Sequence, residues 1–211
     1  MKKNFYQGKF IVLEGLDGSG QSTQAELLKN FLVKEGLSVI LTKEPTLDSE
    51  AGRKIRQILD EKNKIESKKL QELFSEDRKE HLENLIIPEL KQGKIVISDR
   101  YFFSTFAYGA ADGLDLEWLI KINNDFLLPD LTFFLNTSPE TCVQRIEKRG
   151  ETKTLFEKRE KLEKVYQVYH SSLLNRFENI HIIDGEKSIE AVFSQIKEII
   201  NLKPLDPKNY T

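Results

Sequence analysis

Gly15, Gly18, Gly20, Gln21 and Ser22 spell G-x-x-x-x-G-Q-S within "FIVLEGLDGSGQSTQ", Phe10 to Gln24. Glycines at this spacing let backbone amides approach an anion, and a helix that follows turns its positive end toward the same point. The chemistry this suits is the cradling of nucleotide phosphates, with the Ser22 hydroxyl offered to Mg²⁺. The candidate contacts run through Gly15, Asp17, Gly18, Ser19, Gly20, Gln21, Ser22 and Thr23. One position departs from the pattern, which requires lysine where Gln21 stands. A glutamine amide donates hydrogen bonds but carries no charge. A charge-assisted hydrogen bond is worth about 1.5–3 kcal/mol, against about 0.5–1.5 for a neutral one. Removing one donor aimed at developing charge costs roughly 10²–10³ in rate. Phosphate chemistry here needs its charge from Mg²⁺ and from cations elsewhere in the chain.

A second set of such residues closes the hydrophobic run "KIVISDRY", 94–101. Asp99 at a strand's carboxyl end can hold Mg²⁺ directly or through water. Arg100 beside it offers a planar fork to a phosphate.

These groups have to be positioned by elements, and the hydrophobic pattern supplies them. "FIVLE" (10–14), "SVILT" (38–42), "KIVISD" (94–99), "LTFFLN" (131–136) and "NIHIID" (179–184) are strand-length and nearly continuously apolar. That pattern suits strands buried on both faces of a parallel sheet. Helical stretches are expected over 22–34, 49–59, 67–91, 115–126, 139–149, 156–175 and 188–201. The alternation predicts an α/β fold of the P-loop NTPase type: a parallel five-stranded sheet, helices on both faces, ligands beyond the strands' carboxyl ends. The charged run around 145–160 interrupts it and reads as a short flap on a single domain spanning 1–211; a solvated helix pair is the plain alternative.

Taken in order, "FIVLEGLDGSGxST", "KEP" (43–45), "LFSEDR" (73–78), "DRYFFSTFAYG" (99–109), "LPDLTFFL" (128–135) and "LFEK" (155–158) resemble the thymidylate kinases, from about Lys9 to Ile200. The resemblance implies Mg²⁺-dependent transfer of the γ-phosphoryl group of ATP to dTMP, by a homodimer packed through helices. It places Asp17 near the acceptor sugar, Phe74 against the thymine ring and Arg78 at the base edge. Ser104 and Thr105 then line the thymine pocket, and Tyr108 crowds the 2′ position of the sugar. Pro45 shapes the pocket wall, and Arg56 lies near the acceptor phosphate. From spacing alone, Phe74 and Arg78 share one helical face, and a core Phe beside a surface Arg would read the same. Phe102, Phe103 and Phe106 read as packing residues.

The chain also departs from the family's pattern. Asn136 stands where the family has aspartate, Gly109 where it has glutamine, and Leu155 where the flap often has arginine. Residues 16–19 contain no arginine, which resembles the members that carry catalytic cations in the flap. Arg145, Lys148, Arg149, Lys153 and Lys158 are the flap candidates, and Arg100, Asp17, Arg149 and Lys153 form the expected catalytic set. Arg100 and the flap are the expected replacements for the missing lysine.

Composition narrows the class. A formal net charge of -2 argues against a nucleic-acid binder working through bulk electrostatics. No run approaches the roughly 18 apolar residues of a membrane span, and the basic amino terminus lacks a secretory apolar run. The single cysteine, Cys142, suits a reducing cytoplasmic setting and reads as a small buried residue. Three competitors remain: a kinase for another nucleoside monophosphate, a GTPase, and a non-catalytic or weakened nucleotide-binding protein. "TKEP" (42–45) does not supply a GTPase's guanine-reading element. The non-catalytic reading is motivated by Gln21 and Asn136.

Overall fold

The computed structural model describes residues 1–61, 65–150 and 155–202. Five strands form one parallel sheet: β1 (Phe10–Gly15), β2 (Val39–Lys43), β3 (Ile95–Asp99), β4 (Leu131–Asn136) and β5 (Ile180–Asp184), in spatial order β2-β3-β1-β4-β5. Each predicted strand is present, displaced by a residue at most. All of β1 and β3 is buried, as their continuous apolarity requires, whereas the two edge strands β2 and β5 are mostly half-buried. Packing against the sheet divides into two apolar clusters. One gathers Phe10, Val12, Val96, Phe102, Phe106 and Tyr169, and the other gathers Ile11, Leu13, Leu28, Ile97, Phe133 and Ile196. Alternate residues of β1 enter opposite clusters, as the period of two dictates for a sheet covered on both faces.

The helices are α1 (Gln21–Lys34), α2 (Glu50–Glu61), α3 (Ser67–His81), α4 (Ile87–Lys91), α5 (Phe102–Ala111), α6 (Leu116–Ile122), α7 (Pro139–Lys148), α8 (Leu155–Val168) and α9 (Ile189–Leu202). The helix expected over 67–91 is interrupted by a π-helical turn, Leu82–Ile86, before α4. Pro88 lacks the N–H that would continue the α-helical ladder, so a wider turn takes up the mismatch. A second π-helical turn, Tyr169–Leu173, follows α8.

Helix α5 was not among the expected helices, and it carries much of the site. Its aromatic and small residues are buried on so many sides that no polar stripe marks it as amphipathic. Nor does a local cap announce it, since Tyr101 at the N-cap makes no side-chain capping bond. The cap comes from β1 instead. Glu14 accepts from the amides of Tyr101 (2.9 Å) and Ser104 (3.2 Å), from Ser104 Oγ (2.6 Å) and from Tyr169 Oη (3.1 Å). Burial pushes the Glu14 carboxyl up from its ordinary range, while Arg100 and these donors act against that.

The turn that follows β2 is held from α3. Asp77 accepts from Thr46 N (2.9 Å), Thr46 Oγ1 (2.5 Å) and Ser49 Oγ (2.5 Å). Gly52 lies against that turn, and a Cβ there would stand 2.3 Å from the Thr46 carbonyl oxygen and 2.7 Å from Asp77 Oδ1. Both obstacles are fixed, so Gly52→Ala is expected to cost about 1–3 kcal/mol. Thermal melts check this as a fall of roughly 2–4 °C per kcal/mol for a chain of this size.

Candidate active site

The carboxyl ends of β1, β2 and β3 bring the sequence-predicted residues together. Strand β1 runs into the glycine-rich turn, where Gly18 and Gly20 hold φ of 87° and 104°. A Cβ on Gly18 would approach the Cys142 carbonyl oxygen to 2.6 Å, so α7 packs directly over the turn. The Ser19 amide is taken by Leu16 O (3.0 Å), which closes the turn. The amide of Asp17 donates to Tyr108 Oη at 3.1 Å. The next amides, from Gly20 to Thr23, open α1, where the first N–H groups of a helix lack helical partners. These amides are placed to meet an anion.

Arg100 is the hub. Its backbone stands at φ 75°, the left-handed region that a non-glycine residue rarely occupies. The conformation is anchored by Arg100 N donating to Leu13 O (3.0 Å) and by Ser98 Oγ donating to Arg100 O (2.7 Å). It aims the guanidinium across the turn. Nη1 donates to Ser104 Oγ (2.8 Å) and Gly15 O (3.2 Å), and Nη2 to Asp17 Oδ1 (2.6 Å) and Gln21 Oε1 (3.0 Å). Burial acts against the charge of Arg100, but Asp17, then Tyr108 and Glu14, raise its pKa further above an already high value. It therefore stays cationic.

Gln21 is a brace. It is 5% exposed, its Nε2 donates to Gly15 O at 3.0 Å, and its Oε1 accepts from Arg100. Beside it, Ser22 Oγ donates to Asp99 Oδ2 at 2.5 Å, and Lys43 Nζ lies 2.8 Å from that same carboxylate oxygen and 3.3 Å from Ser22 Oγ. Lys43 and Asp99 are register partners at the tips of β2 and β3.

Two cavities open here. The larger, about 510 Å³, is lined by Asp17, Gly18, Gly20, Gln21, Ser22 and Thr23 together with Lys43, Arg100 and Arg149. The other, about 290 Å³, is lined by every residue expected at the acceptor: Pro45, Arg56, Phe74, Arg78, Arg100, Ser104, Thr105 and Tyr108. Asp17, Lys43, Arg56, Arg100, Tyr108 and Lys161 border both, which marks the junction. Gly15 and Ser19 line neither, being packed beneath the turn. A volume and lining of this kind suit a nucleotide in each cavity.

The family comparison falls on this same arrangement. A protein-family model described as thymidylate kinase matches residues 13–196. The chain belongs to the thymidylate kinase family. A relative from Pyrococcus horikoshii described as a probable thymidylate kinase is 42% identical, over 92% of this chain and 96% of its own. Thymidylate kinases from Desulfotalea psychrophila and Brachyspira hyodysenteriae are 39% and 38% identical, over 92% and 95% of this chain and 97% and 98% of theirs.

Family membership leaves the details of this site to its own residues. Arg78 is 1% exposed, which removes the reading of a surface arginine beside a core phenylalanine. Its Nε and Nη2 meet Glu44 Oε2 at 2.9 and 2.8 Å, Nη1 donates to Asn123 Oδ1 (2.6 Å) and Nη2 to Thr105 Oγ1 (3.1 Å). Three of its five N–H donors make hydrogen bonds to Glu44, Asn123 and Thr105, and Nη2 also lies in ion-pair contact with Glu44. Glu44 in turn meets His81 Nδ1 at 3.1 Å. Phe74 is half-buried on the same cavity wall.

Burial pushes Tyr108 well above its ordinary pKa, so its hydroxyl stays protonated. Gly109, where the pattern departs, sits against Leu119 rather than a cavity, and a Cβ there would come within 2.8 Å of that side chain. Asn136 meets His170 Nε2 at 3.0 Å. Phe102, Phe103 and Phe106 are fully buried, as packing residues should be. Cys142 is buried too, its thiol pushed up to about 12 by burial.

The flap candidates divide. Arg145 donates to Ser19 O (3.1 Å) and Gly185 O (2.9 Å), so it ties the glycine-rich turn to β5. Lys148 and Arg149 are exposed at the end of α7, and Arg149 reaches the larger cavity. Lys153 and the side chain of Lys158 lie outside the described residues. Two cations escaped the sequence reading, Lys43 and Lys161. Lys43 carried a usable signal: like Asp99, it ends a strand at the sheet's carboxyl edge.

Proposed function

We propose that this chain transfers the γ-phosphoryl group of ATP to dTMP, giving dTDP and ADP. The observation that carries the reading is the pair of adjoining cavities. One is built on the glycine-rich turn, and the other is lined by all eight residues expected to receive dTMP. ATP sits against Gly18 to Thr23, and dTMP against Pro45, Phe74, Arg78, Ser104, Thr105 and Tyr108. Phe74 faces the thymine ring and Arg78 its polar edge, while Tyr108 narrows the space beside the sugar. Asp17 and Arg56 stand at the acceptor side, and Arg100, with Arg149 and Lys153 from the flap, carries charge to the transferring group. The work is positioning and charge stabilisation, with no covalent intermediate on the protein. Closure of the 145–160 flap excludes water.

Ser22 and Asp99 are the residues that would hold Mg²⁺. They fit it: Asp99 Oδ1 is buried with no hydrogen-bond partner among the described residues, while Oδ2 already gathers Ser22 and Lys43. Two protein ligands, with waters and phosphates filling the rest, is the usual manner of holding this ion. When bound, it offsets phosphate charge. The same proposal includes a cytoplasmic homodimer. Among the described residues, no helix is long and apolar enough to cross a membrane.

A coupled ADP-release assay with each nucleoside monophosphate tests the reading. Turnover is expected with dTMP above dUMP, dGMP and ribosyl UMP, and its loss is expected on chelating divalent cations. Binding of ATP without turnover of any acceptor would favour a non-catalytic nucleotide binder.

A further inference from the structure

The glycine-rich turn lacks its lysine, and the geometry around Gln21 bears on which group stands in. Gln21 itself is committed: its Oε1 and one Nε2 proton bind Arg100 and Gly15 within a buried site. Arg100, the expected substitute, directs both Nη atoms to protein acceptors, namely Ser104, Gly15, Asp17 and Gln21. Arg145 is held by two backbone carbonyls. Lys161 pairs with Asp112 at 3.2 Å.

Lys43 is paired too, with Asp99 at 2.8 Å, and differs from Lys161 in where it stands, beside the first turn of α1. Its ammonium lies 3.3 Å from Ser22 Oγ, the hydroxyl next in sequence to Gln21, at the border of both cavities. Its side chain is 52% exposed, whereas its partner Asp99 is 6% exposed. An ammonium on a flexible four-carbon stem can pivot from one anion to another with little rearrangement. The exposed end of the pair is the ammonium, so Lys43 can swing while Asp99 stays in place.

We propose that Lys43 is the cation that replaces the phosphate-loop lysine, donating from Nζ to the β- and γ-phosphate oxygens of the nucleoside triphosphate. The inference rests on the proposed phosphoryl transfer. In that step an oxygen of the acceptor phosphate forms a bond to the γ-phosphorus. The bond from that phosphorus to the β,γ-bridging oxygen breaks, and its electron pair leaves on the β-phosphate. Lys43 remains protonated throughout and stabilises the charge as it moves. The replacement is supplied from β2 rather than from α1, and its reach is set by the β2–β3 register that places Lys43 opposite Asp99.

The test has a binding arm and a rate arm. In EDTA, a non-hydrolysable ATP analogue is titrated calorimetrically into the parent, Lys43→Met, Asp99→Asn and the double variant. Lys43→Met keeps the apolar stem and is expected to weaken binding about 10–100-fold, the range of one charge-assisted hydrogen bond. The same factor is expected in the Asp99→Asn background. A loss that disappears there would show that Lys43 acts only by neutralising Asp99, and would overturn the proposal. In the rate arm, kcat of Lys43→Met is expected to fall by at least tenfold, with Lys43→Arg keeping more than a tenth of the parent value. A Lys43→Met kcat within threefold of the parent, or Lys43→Arg falling as far as Lys43→Met, also overturns it. Should the parent show no dTMP turnover, the function proposed above fails, while the binding arm still decides the role of Lys43.

Discussion

Arg78→Ala is expected to lower unfolding free energy by about 3–5 kcal/mol, the usual result of removing one member of a buried ion pair. The reason lies in what remains. Among the described residues, Glu44, 3% exposed, keeps His81 alone after losing its hydrogen bond and ion-pair contact to the guanidinium, and Asn123 and Thr105 each lose a donor. For a chain of this length the melting temperature should fall by roughly 6–20 °C. Catalysis suffers separately, because Arg78 also lines the acceptor cavity. The KM for dTMP is expected to rise by at least about tenfold, the loss of a charged donor. Arg78→Met/Glu44→Gln separates the two effects. With both charges removed, much of the stability should return, while the KM stays high. Thermal melts and steady-state kinetics on the three proteins check this, and recovery of KM along with stability would remove Arg78 from the acceptor site.

Arg100→Ala is expected to reduce kcat by roughly 10²–10³. The variant loses a side chain that joins Asp17, Gln21, Gly15 and Ser104, and with it a fixed positive charge at the border of both cavities. Part of any loss could come from backbone rather than chemistry, since residue 100 stands at φ 75°. Arg100→Gly distinguishes them. Glycine accepts that φ without penalty, so it should melt higher than the alanine variant yet be equally slow. Arg100→Lys keeps a charge but not the fork, and is expected to fall between alanine and the parent. Retention of parental kcat by Arg100→Ala would move the charge stabilisation wholly to other cations.

Much of the site was legible because its signals are local. The glycines of the turn, Ser22, and the Asp99–Arg100 pair follow from motif and strand position; Gly18, Gly20, Ser22 and Arg100 line the larger cavity, Asp99 ends β3 beside Ser22, and Gly15 lies outside both cavities. The sheet was legible for the same reason, since a strand buried on both faces writes its burial into consecutive residues. Helix α5 was not, because a helix enclosed on most sides shows no polar stripe, and its cap, Glu14, lies on another strand. Lys43 was overlooked as a functional residue because its place beside Ser22 depends on which strands are neighbours.

Beyond the acceptor residues, which only the family resemblance implied, sequence alone determined that a glycine-rich turn of the phosphate-binding pattern joins β1 to α1 and that it lacks a lysine. These are statements about residue type and spacing, and the chain's covalent order is enough to make them. Only the tertiary structure decided how Gln21 is used and which lysine stands beside Ser22. Gln21 braces Arg100 and Gly15 because burial leaves its amide those partners. Lys43 reaches Ser22 and Asp99 because parallel pairing sets the end of β2 beside the end of β3, bringing together residues far apart in the chain.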